Sequence, residues 1–212
     1  LTDAMLMRIN PAGSPVNAGA RYGVAGTTNQ FFGVDVSTLL KTGNAYLYAV
    51  GGDSSLLGGG GATALMIDGS GVPEWEVKMD TAGIDTAFAT VYDAARTQLV
   101  VVGATNGLGG GFKMFVTAIN ANNFVGGGGV NMWAKSIADA GSNAKAYAVT
   151  IAEDGNYVVA GYDTFGGNRQ LFAVKLNSLN GNFIWANHYG GTGIEDMDIA
   201  GGIVRNANGY AI

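Results

Sequence analysis

Apolar and polar positions alternate along four short segments, each closed by Asn or Asp: "AMLMRIN" (4–10), "TALMID" (63–68), "MFVTAIN" (114–120) and "LFAVKLN" (171–177). Their last hydrophobes, Ile9, Ile67, Ile119 and Leu176, lie 58, 52 and 57 residues apart. A Gly-bearing turn follows in three cases ("PAGS", "GSG", "SLNG"), and the third copy has the longer "ANNFVGGGG". A second segment then bears Trp: "PEWEVKM" (73–79), "NMWAKSI" (131–137) and "FIWANHY" (183–189), with the Trp-free "VNAGARY" (16–22) in the first copy. A third, Ala-rich segment alternates again in "DTAFATVYD" (85–93), "AKAYAVTIAED" (144–154) and "DMDIAGGIVRN" (196–206). A fourth closes the unit in "AYLYAVGG" (45–52), "QLVVVGA" (98–104), "NYVVAGY" (156–162) and "GYAI" (209–212). Period-two alternation rich in branched and aromatic residues predicts β-strands, because successive side chains in a strand point to opposite faces. No stretch sustains a 3.6-residue period with caps. "VSTLLKTGN" (36–44), the nearest to a helical turn, reads as the third strand of the first copy running into its hairpin.

The chain thus divides into repeats of about 53 residues, at about 1–51, 52–103, 104–161 and 162–212. Each predicts a four-stranded antiparallel unit, and units of this kind repeated every ~40–50 residues mark a β-propeller. One such blade has two apolar faces and buries neither alone; stacking blades face to face buries both. Small residues are expected where the inner strands crowd together, and large ones where the gap between blades widens. The four repeats are expected to close on themselves with Leu1 near Ile212, as a four-bladed ring, as half of an eight-bladed ring made by two chains, or within a longer chain. The last strand stops at Ile212, where the other copies continue with Gly, and this favours a processed piece.

Composition narrows the class. Hydrophobic residues make up 48%, which excludes a disordered chain, while charged residues at 13% are about half the usual share. The 36 glycines follow no collagen-like period, so they punctuate ordered segments. A net charge of −5 with 11 scattered Lys and Arg argues against nucleic acid and anionic membrane as partners. No apolar run approaches the ~20 residues of a spanning helix. The absence of Cys removes thiolate nucleophiles, thiolate metal sites and disulfides. A Gly-rich, acidic, charge-poor chain reads best as extracellular or cell-surface.

These motifs resemble the secreted β-propeller repeat family, often called SBBP-type. The resemblance is carried by Val174-Lys175-Leu176-Asn177, Gly181, Trp185, Tyr189-Gly190-Gly191, Asp196 and Tyr157-Val158-Val159-Ala160-Gly161 in the fourth unit, and by "TDAMLMRINPAGSPV" with "RYG" in the first. It implies a propeller fold, an extracellular or surface location and a structural Asp that clamps a loop. The Gly-x-x-x-Trp element also resembles the blade motif of quinoprotein dehydrogenases, in which tryptophans dock neighbouring blades. Four repeats and no Cys depart from those enzymes, so no cofactor is expected.

Candidate chemistry is sparse. Trp75, Trp133 and Trp185 recur at one repeat position and are expected to pack blade against blade. Asp85 and Asp196 are the expected loop clamps; Glu195, Asp196 and Asp198 lack the D-x-D-x-D-G spacing of a calcium loop. No metal site is expected. The glycine runs at 57–62, 108–112 and 125–130 lack the Lys-Ser/Thr of a phosphate loop and read as rim loops able to approach a partner chain or a sugar. Phe124, Tyr162 and Phe165 are the aromatic candidates for a binding surface. His188, the sole histidine, has no Ser or Asp partner at a recognisable spacing and reads as incidental, with Ile184 and Ala186 on its face and Phe183 on the other. Asp53 and Asp163, each after a closing Gly, read as turn residues. The reading is a non-catalytic propeller used for assembly or adhesion, with a protein partner or self-association. The alternative is a carbohydrate-binding propeller, and a hydrolase or lyase comes third.

Overall fold

The computed structural model describes residues 3–16, 20–23, 28–41, 44–54, 60–79, 81, 83–109, 111–121, 131–137, 143–195, 197 and 202–212. Among these residues the fold is all-β, with sixteen strands and no helix. Three four-stranded antiparallel sheets follow one another along the chain. The first runs β3 (Thr28–Lys41), β4 (Asn44–Ser54), β5 (Ala62–Ile67), β6 (Pro73–Met79). The second runs β7 (Asp85–Asp93), β8 (Gln98–Thr105), β9 (Lys113–Asn120), β10 (Asn131–Ile137). The third runs β11 (Lys145–Ile151), β12 (Tyr157–Phe165), β13 (Asn168–Leu176), β14 (Phe183–Tyr189). Before them stands the pair β1 (Ala4–Leu6) and β2 (Ala20–Tyr22), and after them β15 (Val204–Asn206) and β16 (Gly209–Ala211). Each pair is hydrogen-bonded to no other described strand.

The segments that alternate in sequence are the strands. The sheets, however, run out of phase with the sequence units: each joins the third and fourth segments of one unit to the first and second of the next. Leu1 lies outside the described residues, as do Phe124, Asp196 and Asp198.

The second strand of each sheet explains the apolar runs. All eight residues of β8 are buried, because both faces of this sheet are covered by neighbours. Leu99 and Val101 pack toward the first sheet with Tyr48, Val50, Met66 and Trp75. Val100 and Val102 pack toward the third with Tyr157, Val159 and Val174.

The three sheets also share one irregularity. The first strand is bulged at Phe32, Phe88 and Tyr147, the residue skipped in the ladder each time. Facing each bulge is a glycine: Gly51, Gly103 and Gly161. A Cβ there would collide with the carbonyl oxygen of Gln30, Thr86 or Lys145 respectively. The bulge turns its aromatic out of the ladder, so that Phe32 meets Phe88 (ring centroids 5.6 Å apart) and Phe88 meets Tyr147 (4.8 Å). Large rings therefore sit where β3, β7 and β11 lie side by side, a place expected to hold small residues.

Polar ties cross between sheets as well. The Tyr157 hydroxyl of the third sheet donates to Asp93 of the second (2.8 Å) and lies 3.0 Å from Gln98 Oε1. Burial and the Asp93 carboxylate raise its pKa far above the usual value for a tyrosine. Arg96 holds the same Asp93 oxygen at 3.0 Å.

On the outer side, Lys175 lies 2.8 Å from Asp154 and, with Asn156, holds its carboxyl at about 2, below the usual 3.8. A depressed carboxyl stabilises the fold above its unfolded value, and the contribution disappears as pH falls through the folded one. Asp154 is half exposed, so the gain is small, on the order of 0.5 kcal/mol. Asp154→Asn is thus expected to lower the thermal midpoint by about a degree near neutral pH and to match wild type near pH 2. Thermal scans across that window check it, and an equal deficit at both ends would contradict it.

Candidate functional site

Between the outer strands of neighbouring four-stranded sheets runs a groove, present at both of their interfaces. The groove between the first and second four-stranded sheets has a volume of about 480 Å³ and is lined by Val77, Met79, Thr105, Phe115 and Ser136 among others. The groove between the second and third has about 360 Å³, within the range of small-ligand sites. A smaller one, about 260 Å³, lies beside β2 and is lined in part by Tyr22, Thr63 and Glu76.

Strand register makes these grooves comparable residue by residue. Phe115 pairs with Ser136 across β9 and β10, and Phe172 pairs with His188 at the same place across β13 and β14. Thr105 and Asp163 each stand two residues after the bulge-facing glycine. One groove therefore presents Thr105, Phe115 and Ser136, and the next presents Asp163, Phe172 and His188 on the same scaffold.

The two differ in how their polar groups are satisfied. In the first, Thr105 Oγ1 lies 3.0 Å from Thr81 Oγ1, and Gly107 donates to it at 3.3 Å. In the second, Asp163 is only 2% exposed. Its Oδ2 lies 3.4 Å from His188 Nε2, while its Oδ1 is buried with no hydrogen-bond partner among the described residues. The His188 ring is held between two phenylalanines: Phe165 stacks on it at 4.5 Å and 21°, and Phe172 leans on it at 4.7 Å and 41°. The outer strand is bulged between Phe183 and Trp185, so Phe183 joins Ala186 and His188 in the groove instead of taking the opposite face that strict alternation predicts.

Ser136 lines this groove as well, which brings the three residue types of a nucleophile, base and orienter together. Ser136 makes no hydrogen bond to His188 among the described contacts, and His188 spends Nε2 on Asp163. The arrangement is built to hold a donor against a carboxylate between aromatic walls.

The other expected residues are placed as follows. Trp133 reaches across to the third sheet: its indole N–H donates to the Ser178 carbonyl (3.2 Å), and its ring lies 6.2 Å from that of Tyr157. Trp75 is buried among residues of the first and second sheets, beside Tyr48 at 6.1 Å. Trp185 belongs to none of the buried clusters and faces Lys175 in the ladder. Asp85, 2% exposed, accepts the Thr81 backbone N–H (2.6 Å) and its hydroxyl. In the acidic segment after β14, Glu195 accepts the Gly191 N–H (3.1 Å) across the same four-residue span.

Tyr162 departs from its expected place. It lies within β12, 3% exposed beneath the Arg169 guanidinium, because the strand runs past its glycine to Phe165. Asp163 shares this correction: it is a buried strand residue, and the turn is made by Gly166 and Gly167, with φ of 60° and 88°. Phe165, 49% exposed, stacks on the groove residue His188. The replacement of Thr by Asp and of Ser by His at two matched repeat positions is the sequence signal that would have found this site.

The structure defines the class: an all-β protein of serially repeated four-stranded antiparallel sheets. Compared with known proteins, the chain matches no family model and no curated relative. Groups of three or more metal-ligating side chains are absent among the described residues.

Proposed function

We propose that the chain is a non-catalytic, extracellular or cell-surface module of β-propeller type that engages a protein through the outer edge of the sheet β11–β14. The observation that carries this reading is the character of β14. Outer strands present unpaired backbone groups and are normally blunted by charge. The outer strand β6 carries Glu74, Glu76 and Lys78, and β10 carries Lys135, whereas β14 ("FIWANHY") carries no Lys, Arg, Asp or Glu. It instead exposes Phe183 (56%), Ile184 (48%) and Tyr189 (46%). An uncharged edge with large exposed side chains suits strand addition, in which the main chain supplies affinity and alternate side chains supply selectivity. The propeller arrangement itself is supported by the repeat period and by the stacking of the sheets through shared cores.

Size exclusion with light scattering on native extracts, and on the purified chain over a concentration series, tests this reading. Wild type is expected in a species larger than the monomer, and Ile184→Lys, which places a charge on the edge, is expected to release the monomer. A monomer in every sample would overturn the reading.

A further inference from the structure

We propose that the groove between β10 and β14 is a binding site for an organic cation, an alkyl-ammonium or guanidinium group, seated on Asp163. A carboxylate removed from water is costly unless countered by charge and filled with hydrogen bonds. Asp163 lines the groove, with one oxygen engaged by His188 and the other buried and unpaired. Among the described residues lining that groove there is neither Lys nor Arg, and the one group there able to carry positive charge, His188, engages Oδ2 and leaves Oδ1 without a partner. The remaining walls are Phe172, Phe183, Ala186 and Ile137, an apolar surface for an alkyl chain, with aromatic faces that favour a cation.

The neighbouring groove serves as an internal comparison. With Thr105 and Ser136 in the matched places it has no carboxylate at that position, and its threonine is already hydrogen-bonded. The stacking of His188 on Phe165 and Phe172 holds the imidazole on one carboxylate oxygen, and the other has no partner among the described residues. A neutral hydroxyl or amide donor would fill the hydrogen bond but bring no positive charge to the carboxylate, so the site selects ammonium over alcohol.

Two sources share this chemistry, a free amine and the side chain of a Lys or Arg on a partner; the second rests on the interface reading above. The sole histidine supplies the reporter, since its imidazole signal is the only one of its kind in a proton–carbon NMR spectrum. The folded chain is titrated with n-butylammonium, 1-butanol, methyl glucoside and N-acetyl-lysine methylamide. Saturable movement of the His188 signal is expected with the two cations, and none with the alcohol or the sugar. Asp163→Asn is expected to weaken the response roughly tenfold or more, the loss expected for a charged hydrogen bond, while Asp154→Asn leaves it unchanged. Tighter binding of the lysine derivative than of butylammonium points to a partner's side chain, and the reverse order to a free amine. Equal responses to butanol, or a response to the sugar alone, overturn the proposal on wild-type protein whether or not Asp163→Asn folds. Ile184 does not line this groove, so a monomeric protein that still binds butylammonium removes the interface reading and leaves this one standing.

Discussion

Gly161→Ala is expected to be among the most destabilising single-methyl changes in the chain, costing about 3 kcal/mol and lowering the thermal midpoint by about 6–12 °C. The reason is geometric. The added Cβ collides with the Lys145 carbonyl oxygen and lies 2.9 Å from both the Lys145 carbonyl carbon and Ala146 Cα. All three are backbone atoms of β11, and no flexible side chain yields to relieve them. The strand must shift at its bulge, and the bulge is what aims Tyr147 at Phe88. Gly166→Ala is the control. Its φ is +60° and nothing lies within 4 Å of the added methyl, so only backbone strain remains, about 1 kcal/mol. Thermal or urea unfolding of the two variants decides the matter; similar losses in both would mean that the bulge moves freely and that the glycine is not there for space. Gly103→Ala is expected to behave like Gly161→Ala, since its Cβ meets Thr86 O and the Phe115 ring.

The second large effect belongs to Trp133→Ala. This ring ties β10 to the third sheet through Ser178 and Tyr157. It also explains the glycine of the Gly-x-x-x-Trp element: a Cβ on Gly181 would stand 2.5 Å from Trp133 Cε3, and Gly181 has φ +68°. Gly181 thus makes the seat for the tryptophan of the preceding sheet while also turning the chain toward Trp185. Truncating a large packed aromatic costs about 3–5 kcal/mol; Trp133 is half-buried, which places it near the lower end. Trp185→Ala, in no buried cluster, is expected to cost about 1 kcal/mol. Hydrogen exchange separates docking from a general loss of stability. In Trp133→Ala, amides of the 177–182 turn should exchange faster than those of β8, whereas uniform acceleration would reject a docking role.

Much of this architecture was legible in the chain. Period-two alternation marked the strands, because a strand places successive side chains on opposite faces whatever its partner. The recurrence of Trp75, Trp133 and Trp185 marked equivalent places in successive units. Alternation alone puts Phe183 on the face opposite His188, and the bulge before Trp185 breaks that alternation. The glycine before Tyr162 and Asp163 suggests a turn at Asp163 and an exposed ring at Tyr162, yet that glycine serves the bulge opposite and the strand continues.

By itself, then, the sequence determined an all-β chain of repeated short strands, its hairpin turns and the recurring tryptophans, all properties of local periodicity. Tertiary structure alone decided which four strands share a sheet, because a repeat period carries no phase. It also decided that Asp163 meets His188. The two lie 25 residues apart on strands that are not neighbours, and β13 between them, with the bulge of β14, sets the register that brings one buried carboxylate to the chain's only imidazole.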